Sequence, residues 1–352
     1  MIPEKEHDDG KIHSTSVTVI IVARNEENNI ERCLSAIIAQ KYDRSLLEVI
    51  VVDDHSTDRT FEIVNEVCSS ASFIKMIKSD APPESKAFKK HGIGQAITVS
   101  KGELIVTTDA DCTMGPLWIN ELVGFYESNK PSMIIGTVCI DSSRSIFGKF
   151  QAVEFTGLMV AAGAMANLKK PIMCNGANLA YTRESFEKVK GFEAIDQKAS
   201  GDDVMLMNKI NGCFPGAVKF IKSNEAIVYT NSLSSLRGFI NQRVRWSSKT
   251  VSGGNRINIL VAAVVYFFNF FALISMLILP FNAQFFGLFM PPLFSAFIIN
   301  FLLLFLGLSF FGIRRYWWII LPEQPLYILY VVWVGLISIF NKKYTWKGRK
   351  LV

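Results

Sequence analysis

Leu104-Ile105-Val106-Thr107-Thr108-Asp109-Ala110-Asp111-Cys112 is a short apolar, β-branched run that ends in two carboxylates two residues apart. A strand buried on both faces of a parallel sheet reads as a continuous apolar run, and ligands of open α/β sheets gather at the carboxyl ends of such strands. Two carboxylates at that end offer hard oxygen ligands suited to Mg²⁺ or Mn²⁺ carrying substrate phosphates. The same pattern also serves as an ordinary solvated turn, so the rest of the chain decides between the two readings.

Upstream, Val17 to Ala23 predicts a first strand, followed by Arg24-Asn25-Glu26-Glu27 and a helical pattern through Ile30, Leu34, Ile37 and Ile38. Leu47 to Val52 predicts a second strand that runs into Asp53-Asp54-His55-Ser56-Thr57-Asp58, where Ser56, Thr57 or Asp58 can cap the next helix. A short strand near Phe73 to Ile77, a loop with Pro82-Pro83 and a helix from about Lys90 to Val99 lead back to the opening stretch. Strand and helix alternate without hairpin signals, which predicts an α/β domain with a parallel sheet and helices on both faces. Downstream, Met133 to Val138 reads as one further strand and Phe147 to Leu168 as an apolar packed or interfacial helix. Asn175-Gly176-Ala177-Asn178 and Gly201-Asp202-Asp203 follow, the latter opening another helix.

The chain has 352 residues, 50% of them hydrophobic, and a net charge of +6. Its mean hydropathy of +0.27 is high for a water-soluble protein. A basic chain fits an anionic membrane surface or anionic substrates. No nucleic-acid module is visible, so nucleic acid is not expected as a partner. Six cysteines (Cys33, Cys68, Cys112, Cys139, Cys174 and Cys213) show no Cys-x-x-Cys pair, which argues against zinc and disulfide frameworks and for a reducing compartment. Met1 to Ser16 is polar, so no signal peptide is expected.

Beyond Asn255 the apolar stretches 258–279, 285–313 and 316–340 are long enough to cross a hydrocarbon core of about 30 Å, the second containing Pro291-Pro292 and the third Pro322, Glu323 and Pro325. The expected organisation is a polar tail 1–15, an α/β domain 16–250, a transmembrane region 256–341 and a basic tail 342–352. Arg237, Arg243, Arg245, Lys249 and Arg256 precede the first span and Arg314-Arg315 follow the second, as expected for cytosolic flanks. Three simple crossings would leave Lys342, Lys343, Lys347, Arg349 and Lys350 on the far side, so the number of crossings stays open. The expected location is the cell (inner) membrane, with the α/β domain and tail cytosolic.

Asp53-Asp54, Asp109-x-Asp111, Asp202-Asp203 and Gln242-Arg243-Val244-Arg245-Trp246 stand in that order. Together they resemble the inverting glycosyltransferases of family 2, a GT-A group that includes cellulose, chitin and hyaluronan synthases. The resemblance covers about Ser16 to Trp246. It rests on Val51-Val52-Asp53-Asp54-x-Ser56-x-Asp58, the Asp-Ala-Asp turn, and Gln-x-x-Arg-Trp just ahead of membrane spans. It implies a GT-A nucleotide-diphospho-sugar transferase domain with a mostly parallel, Rossmann-like sheet, followed by transmembrane helices.

In that family a nucleoside diphosphate leaves the anomeric carbon, and a bridging metal, Mg²⁺ or Mn²⁺, stabilises the departing charge. The resemblance implies Asp111 as the main metal ligand, with Asp109 reaching the metal or the ribose. Asp203 matches the general base, and Asp202 stands where the family has a glutamate. Both also suit a helix N-cap and first turn. Asp53 matches the base-binding residue, Asp54 beside it is a nucleotide-sugar-binding candidate or shapes the turn, and Glu26 lies near base and ribose, with Val22 replacing the usual proline. Lys89, in Phe88-Lys89-Lys90-His91, matches a lysine near the nucleotide or belongs to a solvated cluster. Gln242, Arg245 and Trp246 match the Q-x-x-R-W motif, where the arginine neutralises diphosphate and the tryptophan lines the acceptor end. Arg245 and Trp246 equally suit a membrane-interface anchor. Asn178 is expected to face the acceptor.

The expected partners are a nucleotide-sugar donor, by resemblance a UDP-sugar with GDP open, a lipid or glycan acceptor, and the bilayer. Transfer of one sugar to a lipid or lipid-linked acceptor is the leading reading, and a processive polysaccharide synthase is the alternative. The spans here are few, so a synthase channel would need copies of the chain or a membrane partner. A catalytically silent scaffold is the third reading.

Overall fold

Every apolar run named above as a strand of the first α/β half forms one. The chain begins β1 (Val17–Ala23), α1 (Ile30–Ile38), β2 (Leu47–Asp53), α2 (Thr60–Ser70), β3 (Ile74–Lys78), α3 (Phe88–Val99) and β4 (Leu104–Asp109). It continues β5 (Thr113–Met114), α4 (Trp118–Asn129), β6 (Met133–Ile135), β7 (Val138–Asp141), α5 (Ile146–Asn167), β8 (Leu179–Thr182) and α6 (Arg183–Lys188). Then come α7 (Asp202–Cys213), β9 (Val218–Phe220), β10 (Val228–Asn231), α8 (Leu236–Ser252), α9 (Arg256–Ile278), α10 (Phe286–Phe310) and α11 (Ile320–Phe340). The computed structural model describes residues 13–82, 85, 87–141, 145–196, 201–252, 256–281, 283–340, 344–346 and 349–351. The polar stretch 1–12, Pro83, and Lys342, Lys343 and Lys347 of the basic tail lie outside these residues.

The central sheet has the order β3-β2-β1-β4-β8-β6-β9. β1 is parallel to β2 and β4, β2 to β3, and β6 to β9. β8 is antiparallel to both β4 and β6, so the sheet is mostly rather than wholly parallel. The four residues of β8 carry no directional signal, and tertiary pairing sets their sense. Met133 to Val138, expected as one strand, divides into β6 of the central sheet and the start of β7 in a small sheet ordered β5-β10-β7. The division falls at Gly136, where a Cβ would run into the Asn178 side chain.

The chain forms two compact units. The first holds Met1–Cys139, Ala162–Asn231 and Lys347–Leu351. Its centre is β1, where Val17, Val19, Ile20 and Ile21 are at most 1% exposed, and each such burial contributes about 2 kcal/mol. α1 buries Ile30, Cys33, Leu34 and Ile37, the spacing of one helical face. α7 opens on Gly201 at φ +86°, a left-handed conformation that favours glycine. Gly201 is therefore the N-cap, and Asp202 and Asp203 both occupy the first turn.

The second unit holds Ile140–Ala161 and Ser232–Trp346, so it includes most of α5, which the sequence reading placed in the α/β domain. Arg256–Ile278, Phe286–Phe310 and Arg314–Ser338 are each long and apolar enough to cross a membrane. Leu260, Phe267, Leu288, Phe294 and Trp333 point outward from these helices, as lipid-facing side chains do. The unit's buried cluster joins Val153 of α5 to Leu304 and Leu308 of α10, to Tyr316 and Ile319, and to Ile320 of α11.

Candidate active site

Strand register places the first carboxylates. Ala23 pairs with Asp53, and Val22 with Asp109, so β2 and β4 deliver an aspartate on either side of the end of β1. This is the carboxyl edge of the parallel strands, where ligands of open α/β sheets bind. Asp53 is only 7% exposed, and its Oδ1 has no hydrogen-bond partner among the described residues. A buried carboxylate oxygen left unmatched is costly, and a ligand N–H is the group that would satisfy it.

The loops after β1 and β2 hold each other. Asn25 Oδ1 accepts from Thr57 N at 2.8 Å, and Glu26 N donates to Thr60 Oγ1 at 2.7 Å. Asp58 Oδ1 accepts from Thr60 N (3.0 Å) and Oγ1 (2.5 Å), so Asp58 is the residue that ties down the start of α2. Glu26 Oε2 accepts from Asn29 Nδ2 at 2.8 Å. Asp54 is fully buried: its amide donates to Ala23 O at 2.8 Å and its Oδ1 lies 3.2 Å from His55 Nδ1. That is the work of a turn-shaping residue.

Lys89, in the first turn of α3, joins two parts of the chain. Its Nζ donates to Asp109 Oδ1 at 2.6 Å and lies 3.4 Å from Asp202 Oδ2. Burial alone would favour its neutral form, but Asp109, Asp202 and Asp203 outweigh this and push its pKa up, so it stays charged. Gly176 closes the group from below, since a Cβ there would stand 3.1 Å from Lys89 Nζ and 3.3 Å from Asp202 Oδ2. Asp203 is 6% exposed, and its Oδ1 accepts from Val204 N at 2.8 Å. The Asp-Ala-Asp turn and the Asp-Asp pair therefore meet across one ammonium group.

On the other side of that turn, Asp111 is half-buried, and its Oδ2 lies 3.5 Å from the Thr230 hydroxyl of β10. Two thiols flank it: Cys33 Sγ is 3.6 Å from Asp109 O, and Cys112 Sγ is 3.6 Å from Asp111 Oδ1. Burial first, then the charges of Asp111 and Asp109, raises both thiol pKa values, so these are protonated neighbours rather than thiolates. No group of three or more His, Cys, Asp or Glu side chains among the described residues forms a metal cage. Mg²⁺ and its like are held at phosphate sites by one or two carboxylates, the substrate supplying further oxygens, and Asp109 and Asp111 fit that donor set.

Asn178 corrects an expectation. It is fully buried, its Oδ1 accepts from Trp118 Nε1 at 3.0 Å, and its Nδ2 donates to Thr137 O (2.7 Å) and Ala226 O (2.8 Å). Every polar atom of the side chain is spent on holding chain segments together, which leaves none to face an acceptor.

Gln242, Arg245 and Trp246 lie on α8 in the second unit. There Arg243, which the motif leaves unspecified, is firmly anchored. Its Nε donates to Glu154 Oε1 at 3.0 Å, and its Nη2 pairs with Glu154 Oε2. Its guanidinium lies 4.3 Å from the ring centroids of both Phe239 and Trp246, and Gln242 Oε1 accepts from its Nη1 at 2.5 Å. Sequence reasoning assigned no site role to Arg243, Gly176 or Thr230, because each owes its place to partners distant in the chain.

Two family models match: Glycosyl transferase family 2 over residues 18–189 and Glycosyl transferase family group 2 over residues 104–336. The chain is 30% identical over 234 residues to the probable glycosyltransferase YdaM of Bacillus subtilis, covering 66% of this chain and 54% of that one. It is 26% identical over 146 residues to a poly-beta-1,6-N-acetyl-D-glucosamine synthase of Staphylococcus aureus, covering 41% of this chain and 33% of the synthase. It thus spans about half the length of the first relative and a third of the second. The mannosyltransferase PcManGT of Pyrobaculum calidifontis, solved in complex with GDP-Man and Mn²⁺, matches with a TM-score of 0.54 at 18% identity over 95% of this chain and 92% of its own. At that identity the likeness speaks for the fold.

Proposed function

This chain belongs to glycosyl transferase family group 2, and we propose that it moves one sugar from a nucleoside-diphosphate sugar to a lipid or lipid-linked acceptor at a membrane surface. The observation that carries this reading is the bridge from Asp109 through Lys89 to Asp202, because it sets the donor-side turn and the acceptor-side pair in one place.

Asp53, with its unmatched Oδ1, takes an N–H of the nucleotide base, and Glu26 stands on the ribose side. Asp111 and Asp109 would hold a divalent cation, Mg²⁺ or Mn²⁺, which would supply charge neutralisation to the departing diphosphate. Lys89 adds a fixed positive charge beside them. Asp203 accepts the proton of the acceptor hydroxyl as that oxygen bonds to the anomeric carbon. The bond from that carbon to the diphosphate oxygen breaks on the opposite face, so configuration inverts. Asp202, shorter than the family's glutamate, is held by Lys89 and positions the pair. The Q-x-x-R-W motif supports a nucleotide-sugar role for Gln242 and Arg245, the arginine at the diphosphate, and an acceptor-side role for Trp246. UDP is the nucleotide suggested by the resemblance, whereas the mannosyltransferase of like fold was solved with GDP-Man.

The three apolar helices support residence in the cell membrane, and the flanking arginines support a cytosolic catalytic unit. A processive synthase is the second reading, supported by the synthase among the relatives. Detergent-solubilised protein incubated with a panel of nucleotide sugars, Mg²⁺ or Mn²⁺ and membrane lipid extract separates the two. One labelled lipid product with released nucleoside diphosphate supports single transfer, and a long polymer supports the synthase. Asp203→Asn is expected to abolish transfer and keep nucleotide binding. Wild-type turnover in that variant overturns the base assignment, and a protein that binds no nucleotide with Mn²⁺ present is a scaffold.

A further inference from the structure

Arg32 sits on the exposed face of α1, yet its guanidinium is fixed in place. Nη2 donates to the main-chain oxygen of Asp111 at 3.4 Å and to Asn231 Oδ1 at 3.2 Å. Asn231 is itself held, its Nδ2 donating to Asn29 Oδ1 at 3.4 Å, and Asn29 Nδ2 donates to Glu26 Oε2 at 2.8 Å. The neighbouring Thr230 reaches the Asp111 carboxylate. A continuous polar chain thus runs from Glu26 to the Asp-Ala-Asp turn, with Arg32 at its centre.

Both acceptors of Arg32 are neutral oxygens, and among the described residues no carboxylate pairs with it. Lys89, by contrast, is held between Asp109 and Asp202. The two cations therefore flank the turn in different states. Lys89 is matched by carboxylates, whereas among the described residues Arg32 hydrogen-bonds neutral oxygens through Nη2, which leaves Nε and Nη1 for a ligand. A planar guanidinium so held suits the oxygens of a phosphate.

We propose that Arg32 is a phosphate-binding residue of this site, held for that role by Asn231 and Asn29. It rests on the reading of the site as one for a nucleoside-diphosphate sugar. The phosphate comes from the donor diphosphate or from a phosphorylated acceptor, and the Asp111 contact favours the donor.

The test uses the full-length protein in detergent with Mg²⁺, titrated by calorimetry with UDP and with uridine, and with GDP and guanosine in parallel. Arg32→Gln removes the charge and retains a donor toward Asn231, and Asn231→Ala removes the support. Losing a charged hydrogen bond to phosphate in Arg32→Gln is expected to weaken diphosphate binding roughly tenfold or more. The nucleoside affinity and the melting temperature stay unchanged, Arg32→Lys recovers part of the loss, and Asn231→Ala shows a smaller one. Unchanged diphosphate binding with an acceptor KM raised tenfold supports phosphate binding and assigns it to the acceptor. Arg32→Gln with wild-type diphosphate affinity and wild-type KM for both substrates overturns the proposal. Wild-type protein that binds neither UDP nor GDP overturns instead the reading of the site on which it rests.

Discussion

Lys89 Nζ lies 2.6 Å from Asp109 Oδ1, a charged hydrogen bond between the first turn of α3 and the end of β4. With Asp202 at 3.4 Å and Asp203 nearby, one ammonium offsets the repulsion of three carboxylates. Lys89→Met removes that charge without removing bulk. Transfer is expected to fall about a hundredfold, close to 2.7 kcal/mol of transition-state stabilisation. Lys89→Arg should recover part of it. Steady-state kinetics with a nucleotide sugar check this, and a Lys89→Met variant with wild-type kcat/KM would show that the bridge has no part in the reaction.

The buried amide of Asn178 yields a different expectation. Asn178→Ala leaves Trp118 Nε1 and the carbonyls of Thr137 and Ala226 without their partner in a fully buried place. The cost is about 3–5 kcal/mol. Gly136→Ala should act on the same spot, because its Cβ would occupy the space of the Asn178 side chain. Both variants are expected to melt several degrees lower in detergent, while the acceptor KM of the protein that remains folded stays at the wild-type value. A raised acceptor KM at unchanged melting temperature would restore the acceptor role.

The contrast between these residues shows what the chain discloses by itself. Parallel strands buried on both faces are continuous apolar runs, so β1, β2 and β4 and the aspartates at their ends could be read directly. The direction of β8 could not, because its four residues, Leu-Ala-Tyr-Thr, look alike in either sense. Lys89 stood in a basic cluster whose members have separate fates: Lys90 is buried on Ile195 O, and His91 pairs with exposed Asp80. Asn178 faces partners 41, 48 and 60 positions away, and no local pattern encodes which way an amide points. Motif spacing locates residue types, whereas tertiary pairing decides which of them are spent on structure.

Glu127, on α4, gives the first unit a pH signature. Its carboxylate accepts from Ser14 N at 3.1 Å and Thr15 Oγ1 at 2.9 Å, and lies 2.8 Å from His13 Nδ1. Burial opposes ionisation, but these contacts outweigh it and bring the pKa down from 4.5 to about 2. A depressed carboxylate stabilises the fold in full above its unfolded pKa, and the contribution fades as pH falls through the folded one. Wild type should therefore exceed Glu127→Gln by roughly 2 kcal/mol near neutrality, allowing for solvent screening. The gap should narrow between pH about 4.5 and 2. Melting temperatures of both proteins across that range test it, and a gap independent of pH would sink the idea.

In the second unit the polar centre is Glu154, which takes the two contacts from Arg243 and a 2.6 Å hydrogen bond from Tyr330 Oη of α11. Glu154 is 3% and Arg243 5% exposed, so either charge alone would be buried without compensation. Arg243→Leu strands the carboxylate and Glu154→Leu strands the guanidinium, each costing about 3–5 kcal/mol. Removing both leaves two apolar side chains among Phe239, Phe150 and Trp246, a far milder change. The double variant is therefore expected to melt above either single one, and Tyr330→Phe to lose only about 1 kcal/mol. A double-mutant cycle on thermal unfolding in detergent measures the coupling. Strictly additive losses would mean that the pair, for all its contacts, does not act as a unit in holding α5, α8 and α11 together.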